Sequence, residues 1–180
     1  GHTAGIDRAV FTPDGAIIVT AGDDATARIW DGRTGGERFV LKGHTKALAD
    51  LAVSPDGSRI ATAGDDMTVR IWETKTGGAL REINAGNYVT GVVFSPDGSR
   101  IATGGMDGTA RIWDVGTGRG LFVLRGHDGT VDAVAFSPDG SMLATGGNDD
   151  TARIWNAKTG EAIHVLNGHA SFVVALAFRP

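Results

Sequence analysis

The sequence has no cysteine, which excludes disulfide bonds, thiolate nucleophiles and thiolate metal sites. It also has no apolar run of about 18 residues, the length that a membrane-spanning helix requires, and no signal-peptide pattern at its N-terminus. Lysine and arginine are dispersed and the net charge is −4, so the basic footprint of a nucleic-acid or anionic-membrane binder is missing. We therefore expect a cytoplasmic protein that binds neither nucleic acid nor membrane.

What the sequence does contain is an internal repeat. A tetrapeptide "TPDG" or "SPDG" recurs, and a tryptophan follows the first residue of each copy after 18 positions. Successive tetrapeptides are 42, 41 and 42 residues apart. The tetrapeptides begin at Thr12, Ser54, Ser95 and Ser137, and the tryptophans are Trp30, Trp72, Trp113 and Trp155. A period of this length indicates a repeat architecture with one supersecondary unit per copy.

Each repeat predicts four short strands. In the fourth copy the segments "TVDAVAF", "SMLATGG", "TARIWN" and "AIHVLN" are all β-prone, and the first alternates apolar with small or polar residues. The tetrapeptide from Ser137 to Gly140 suits a type I turn, with Pro in its second position and Gly in its fourth. The same pattern holds in every repeat, so we expect an all-β protein with almost no helix.

The motifs "GH…SPDG…ATGG.DGTARIWD..TG" resemble the WD-repeat β-propeller family, and the resemblance covers the whole chain. It implies a β-propeller in which each repeat forms one four-stranded antiparallel blade around a central channel. The expected organisation has four blades and an incomplete fifth. Blades are predicted at residues 1–42, 43–83, 84–125 and 126–167. We call the Gly-His dipeptide and the residues between it and the first strand the head loop of a blade. Residues 168–180 contain the head loop and first strand of a fifth blade.

The resemblance also implies a structural tetrad in each blade, in which a head-loop histidine, a threonine, an aspartate and the tryptophan are hydrogen-bonded. A Thr, His and Asp together invite comparison with a catalytic triad, but the set recurs in blade after blade, whereas catalysis needs one site with an oxyanion hole. The third repeat lacks the histidine because Ala85 stands at its position, so we expect water to replace the ring or the blade to be weaker. The tetrad residues are His2, Thr20, Asp24, Trp30, His44, Thr62, Asp66, Trp72, Thr103, Asp107, Trp113, His127, Thr145, Asp149 and Trp155.

Other chemical motifs are weak. The segment "GTGRG" at residues 116–120 precedes a fourth strand and not a helix, which argues against a phosphate-binding loop. Paired acids such as Asp65 and Asp66 lack the spacing of a calcium-binding loop. We assign no catalytic residue, metal ligand or cofactor, and expect no enzymatic activity.

Positions that differ between the repeats are the candidates for binding partners. The resemblance places the head loop and the loop before the tetrad Asp on one face, around the channel. Tyr88 and Met106 are the most distinctive residues there, because aromatic and methionine side chains are enriched at binding centres. A second interpretation is that Tyr88 packs into the space of the missing histidine. The candidate partner-binding residues are Asp7, Asp23, Lys46, Asp65, Asn87, Tyr88, Met106, Asp132, Asn148 and Phe172.

Two functions fit this pattern. The resemblance implies a non-enzymatic scaffold that binds proteins or peptides on the propeller face around the channel. The near-identity of the repeats favours an alternative, a self-assembling propeller fragment or engineered repeat protein without a specific ligand. Because the fifth repeat is unfinished, we expect either closure of the ring as a homodimer of eight or nine blades, or a piece of a longer array.

Overall fold

The computed structural model describes residues 1–179, and every regular element in this range is a β-strand. The all-β fold class predicted from the sequence is confirmed: the strands form four antiparallel sheets of four, each in chain order. None of the described residues belongs to a helix that could span a membrane. The chain divides into two units, Gly1–Val89 and the residues from Thr90 onward, and each is described on its own.

The first unit contains sheets 1 and 2, both simple antiparallel meanders. Sheet 1 consists of β1 (Ile6–Phe11), β2 (Ile17–Gly22), β3 (Thr26–Asp31) and β4 (Glu37–Lys42). Sheet 2 consists of β5 (Leu48–Val53), β6 (Arg59–Gly64), β7 (Thr68–Glu73) and β8 (Ala79–Asn84). Burial falls from the second and third strands to the fourth, which forms an exposed edge of each sheet, and β1 of sheet 1 is exposed as well.

The second unit repeats this arrangement in sheets 3 and 4. Sheet 3 consists of β9 (Val89–Phe94), whose first residue closes the first unit, β10 (Arg100–Gly105), β11 (Thr109–Asp114) and β12 (Gly120–Arg125). Sheet 4 consists of β13 (Val131–Phe136), β14 (Met142–Gly147), β15 (Ala152–Asn156) and β16 (Ala162–Leu166).

The Ser/Thr-Pro-Asp-Gly tetrapeptide closes the turn between the first and second strands of each sheet. In sheet 2 the Gly57 N–H donates to the Ser54 carbonyl at 2.8 Å, and the Ser54 hydroxyl donates to the Asp56 carboxylate at 2.6 Å. Together with the Ser58 N–H, the Ser54 hydroxyl lowers the pKa of Asp56 to about 2. Gly57 has a φ of 71°, a left-handed conformation that glycine adopts without a Cβ penalty. The turn is therefore specified by local chemistry.

Each unit has its own hydrophobic core, formed where one sheet packs on the next. In the first unit Trp72 of sheet 2 is 2% exposed and packs with apolar residues of sheet 1. In the second unit Trp155 of sheet 4 is 3% exposed and packs with residues of sheet 3. The first core contains Val19, Ala21, Ala27, Ile29, Leu41, Leu48, Leu51 and Ile60 besides Trp72. The second contains Ala102, Ala110, Ile112, Leu124, Val131, Leu143 and Ala157 besides Trp155.

The predicted first strand of a fifth repeat is not a strand in the structure. Residues 168–179 have no strand assignment, although Val173 is buried and its N–H donates to the Gly147 carbonyl at 3.0 Å. A first strand becomes part of a ladder only by pairing with a second strand, and residues 168–179 contain no such partner. Pro180, the last residue of the predicted strand, lies outside the described residues.

The same tail still occupies the position of a first strand. A Cβ atom placed on Gly146 of sheet 4 would lie 2.5 Å from the Val173 carbonyl oxygen. A Cβ atom placed on the matching Gly104 of sheet 3 would likewise lie 2.5 Å from the carbonyl oxygen of Val131, the first residue of β13. Glycine at these two positions therefore allows the backbone of the following repeat to approach closely.

Candidate functional site

A hydrogen-bonded chain links four side chains in sheet 2. The Trp72 indole Nε1–H donates to the Thr62 hydroxyl at 2.9 Å, and Nε2 of His44 lies 2.8 Å from the same hydroxyl. Nδ1 of His44 lies 3.0 Å from the Asp66 carboxylate. With a neutral ring, Nδ1–H donates to Asp66 and Nε2 accepts from Thr62, so every donor in the chain has an acceptor. Thr62 is fully buried and its oxygen already accepts from the indole, which leaves no access for a substrate.

Sheets 1 and 4 repeat this chain with the same atoms. The histidine–aspartate distances are 3.0 and 2.9 Å, the histidine–threonine distances 2.7 and 2.8 Å, and the tryptophan–threonine distances 2.8 and 2.9 Å. The residues are His2, Thr20, Asp24 and Trp30 in sheet 1, and His127, Thr145, Asp149 and Trp155 in sheet 4. The structure thus brings together three of the four residue sets expected from the sequence.

The aspartate of each set fixes the head loop to the turn between the second and third strands. Asp66 accepts from the Thr45 N–H at 2.9 Å and from the Thr68 hydroxyl at 2.7 Å, besides the histidine. Burial alone would raise the pKa of Asp66, but these donors outweigh it and lower the pKa to about 2. A Cβ atom on Gly64 would lie 2.6 Å from His44 Nδ1, so glycine is required for the ring to fit.

Sheet 3 uses an arginine where the other sheets use histidine. Nη2 of Arg111 donates to the Asp107 carboxylate at 2.8 Å, and the Trp113 indole still donates to Thr103 at 3.0 Å. Burial raises the pKa of Asp107, but hydrogen bonds from Arg111 and Thr109 outweigh it and lower the pKa. Asp107 therefore has a charged partner in the structure, and the expected weakness of this blade stays a prediction.

The signal for this exchange is present in the sequence but is distributed over two strands. Every repeat has an arginine two residues before its tryptophan. In sheet 1 Arg28 pairs with Glu37 of β4 at 2.5 Å, and in sheet 2 Arg70 pairs with Glu82 of β8. In sheet 3 β12 has no acidic residue and Ala85 stands at the histidine position, and Arg111 pairs with Asp107.

In the first unit the structure brings three predicted binding residues together as an acidic cluster, Asp7, Asp23 and Asp65. The negative charge of Asp23 raises the pKa of Asp7, and burial, a hydrogen bond with Asp23 and the charge of Asp65 add to this effect. Asp7 and Asp23 are exposed and Asp65 is half-buried. Like charges held this close favour a cationic partner.

Two further predicted binding residues of the same unit are in contact. Nζ of Lys46 lies 5.5 Å from the centre of the Tyr88 ring, within the range of a cation–π interaction. Tyr88 is 37% exposed, so its ring is available at the surface. The Nδ2 group of the neighbouring Asn87 is buried and has no hydrogen-bond partner among the described residues.

The position of Asp7 depends on a β-bulge that the sequence analysis did not anticipate. The register between β1 and β2 shifts between Ile6 and Arg8, which places Asp7 at the irregularity. The first strands of sheets 2 and 4 shift at the corresponding positions, Ala49 and Asp132. A bulge changes the direction of the side chain it contains. None of the three residues is glycine, the residue that would mark a bulge in the sequence, so the local sequence does not indicate these bulges.

The remaining predicted binding residues belong to the second unit. Met106 is 59% exposed and Phe172 is 60% exposed. Asp132 is half-buried, and burial raises its pKa. The Asn148 N–H donates to the Thr130 carbonyl at 3.0 Å. Within residues 1–179 no group of three or more His, Cys, Asp or Glu side chains is arranged to hold a metal ion.

Comparison with protein families gives a match over most of the chain. The family model described as "WD domain, G-beta repeat" matches residues 1–31, 35–73, 79–114 and 118–156, which together make up most of the chain. The second, third and fourth matched segments begin at or just before the fourth strand of one sheet and end at the third strand of the next. The segments matched by the family model are therefore offset by one strand from the sheets of the structure.

Proposed function

Because the chain belongs to the WD-repeat family, whose members generally serve as protein-interaction scaffolds, we propose that it binds a basic protein or peptide segment without chemistry of its own. The binding surface is the head-loop end of the first unit. We define the acidic surface as Asp7, Asp23, Asp65 and Tyr88. The observation that carries the proposal is the placement of the acids Asp7 and Asp23 in hydrogen-bond contact at the surface, because a cationic partner relieves the repulsion between like charges.

The residues of this surface combine two contributions to binding. Asp7, Asp23 and Asp65 attract a lysine- or arginine-containing segment over several ångströms and speed its association. Tyr88 supplies an aromatic ring that buries area at small entropic cost and already holds one ammonium group, that of Lys46. A partner's cationic side chain can take the place of Lys46 over that ring.

The experiment is selection of peptides from an unbiased displayed library on the immobilised full chain. We expect enrichment of basic peptides, with affinity that falls as sodium chloride rises, because exposed charges are screened. The double variant Asp23→Asn/Asp65→Asn and the variant Tyr88→Ala should each weaken binding by about tenfold. Glu161→Gln, at an exposed acid directly before β16, is the matched control and should leave affinity unchanged. Enrichment of acidic or apolar peptides, or equal affinity in all variants, would contradict the proposal.

Self-association is the second candidate, favoured by exposed apolar side chains on sheet 1. Ile6 is 54% exposed and Phe11 58%, and Trp30 is only half-buried, unlike Trp72. A second copy that covers this face would bury the apolar area as sheet 1 buries Trp72 of sheet 2. Light scattering behind a sizing column tests it: a two-chain mass that reverts to one chain in Phe11→Ser supports a homodimer. A single-chain mass at all concentrations rejects it.

A further inference from the structure

An arginine of the second unit fills the groove between sheets 3 and 4. Arg100, the first residue of β10, donates from Nη1 to the Ala157 carbonyl at 2.6 Å and from Nη2 to the Gly140 carbonyl at 2.9 Å. Its guanidinium carbon also lies 5.4 Å from the centre of the Phe136 ring. The planar guanidinium group thus links β10 of sheet 3 to two backbone carbonyl groups of sheet 4.

The first unit has the same backbone framework at the corresponding place. The Thr74 N–H donates to the Ser58 carbonyl at 2.9 Å, as the Ala157 N–H donates to the Ser141 carbonyl at 2.9 Å. A Cβ atom on Gly57 would lie 3.5 Å from Pro13 of sheet 1. In the second unit a Cβ atom on Gly140 would lie 3.4 Å from Cδ of Pro96 of sheet 3. The carbonyl groups of Gly57 and Thr74 therefore correspond to the two acceptors of Arg100.

The residue at the position of Arg100 in the first unit is Ile17, which cannot donate to these carbonyls. A groove of about 360 Å³ is found here. Its lining residues are Ile17, Arg38, Asp56, Gly57, Ser58, Glu73, Thr74 and Lys75. We call it the sheet 1–2 groove. It lies beyond the C-terminal end of β5, whereas Lys46 precedes that strand, so the groove is separate from the acidic surface.

One buried polar group in this groove has no partner. The Thr74 hydroxyl is buried, with the residue only 4% exposed, and it makes no hydrogen bond within the described part of the chain. The equivalent residue in sheet 4 is Ala157, which has no such group. A buried hydroxyl without a partner costs free energy, and a donor entering the groove would relieve that cost.

We propose that the sheet 1–2 groove binds the guanidinium group of an arginine side chain from a protein partner. The Gly57 and Thr74 carbonyls and the Thr74 hydroxyl are acceptors, and a guanidinium carries five N–H donors in a planar fork that can reach several of them at once. Ile17 provides an apolar surface for the methylene stem. The aromatic contact of Arg100 is not reproduced, because Val53 stands where sheet 4 has Phe136.

Two acids, Asp56 and Glu73, and two bases, Arg38 and Lys75, line the groove, so their charges balance. Asp56 is ionised, since hydrogen bonds from Ser54 and Ser58 lower its pKa to about 2. Arg38 is held by Asp31 at 2.5 Å, which reduces its repulsion of an incoming cation. A lysine ammonium has a compact charge and would satisfy fewer of the spaced acceptors than the fork does. Arginine is therefore expected to bind more tightly than lysine.

The test is an NMR titration of the ¹⁵N-labelled full chain with N-acetyl-arginine methylamide, with N-acetyl-lysine methylamide as the comparison ligand. We expect saturable shifts at the amides of Gly57 and Thr74 with the arginine derivative and affinity at least about tenfold lower for the lysine derivative. Thr74→Ala, which installs the residue that sheet 4 carries naturally, should fold normally and weaken binding severalfold. Ile17→Arg should abolish the shifts, because an internal guanidinium fills the groove.

The converse variant tests the same chemistry in the second unit. Arg100→Ile removes the internal arginine and should create a second set of saturable shifts, at Gly140 and Ala157. No saturable shift in the unaltered chain, equal response to the two derivatives, or undiminished binding in both Thr74→Ala and Ile17→Arg would overturn the proposal. Because Asp23→Asn/Asp65→Asn leaves the groove intact, failure of the acidic surface to bind peptides would not alter these results.

Discussion

Arg111 and Asp107 form an ion pair in sheet 3, with the guanidinium Nη2 2.8 Å from the carboxylate Oδ2. The pair takes the place of the histidine–aspartate contact that sheets 1, 2 and 4 share. Nη1 of the same arginine donates to the Thr109 hydroxyl at 2.6 Å, so one side chain connects β11 to the turn before it. Arg111 therefore gives Asp107 a charged partner in the sheet that lacks the histidine.

We predict that Arg111→Ala lowers the free energy of unfolding by about 1 kcal/mol, the size expected for a charge-assisted pair that is partly open to solvent. Arg119→Ala removes an exposed arginine that directly precedes β12 and should change stability by less than about 0.5 kcal/mol. Urea denaturation of the two variants measures the difference. Equal effects would mean that the Arg111–Asp107 pair contributes nothing specific to sheet 3.

The histidine of sheet 2 makes stability depend on pH. Burial lowers the pKa of His44, and the hydrogen bond and charge of Asp66 oppose this effect only in part. The unfolded chain, with an ordinary histidine pKa of 6.5, therefore binds a proton more readily than the folded chain as the pH falls below that value. The contribution of His44 to the free energy of unfolding is complete above pH 6.5. It is lost as the pH drops towards the lower folded-state pKa of this histidine.

We therefore expect the free energy of unfolding to decrease from pH 7 to pH 5, before most carboxylates titrate. His44→Gln should reduce the slope over this range, and His164→Gln, on the exposed strand β16, should keep the slope of the unaltered chain. Urea titrations at closely spaced pH values provide the measurement. Asp66 adds a second loss at lower pH, between the ordinary carboxyl pKa of 3.8 and its folded value of about 2. An unchanged slope in His44→Gln would place the pH dependence elsewhere.

The strands and turns were predictable because their determinants are local. Ser54, Asp56 and Gly57 specify one turn through contacts within a few residues, and the same tetrapeptide recurs at a fixed spacing. The partners of His44 could also be named, through the resemblance to a known repeat. In both cases the information lies inside one repeat, so comparison of the repeats reveals it.

The features that were missed depend on contacts between strands or between sheets. Arg111 pairs with Asp107 in the sheet that has Ala85 at the histidine position, so the exchange involves a loop and a strand that are far apart in sequence. The bulge at Asp7 is set by register, which no single residue encodes. The groove exists because Ile17 of one sheet faces Thr74 of the next, and only the folded chain brings these residues together. The effect of sequence differences at such positions can be inferred only when the neighbouring residues in the folded chain are known.

A turn residue of sheet 1 offers a further test of the repeat comparison. Ala25 has a φ of 61°, in the left-handed region, and Met67 and Asp150 have similar values in sheets 2 and 4. The corresponding residue of sheet 3 is Gly108, with a φ of 74°. A side chain in this conformation costs about 1–2 kcal/mol, of which the greater freedom of glycine in the unfolded chain cancels a part. Sheet 3 thus carries the residue that suits this turn.

We predict that Ala25→Gly raises the free energy of unfolding by about 0.5–1 kcal/mol. Ala27→Gly, the same chemical change two residues later, should lower it by about 1–2 kcal/mol, because Ala27 is buried in β3 and glycine weakens a strand. The urea midpoints of the two variants should move in opposite directions from that of the unaltered chain. If both fell, the strain at Ala25 would be smaller than the entropy that glycine adds to the unfolded state, and the conformation of this turn would not limit the stability of sheet 1.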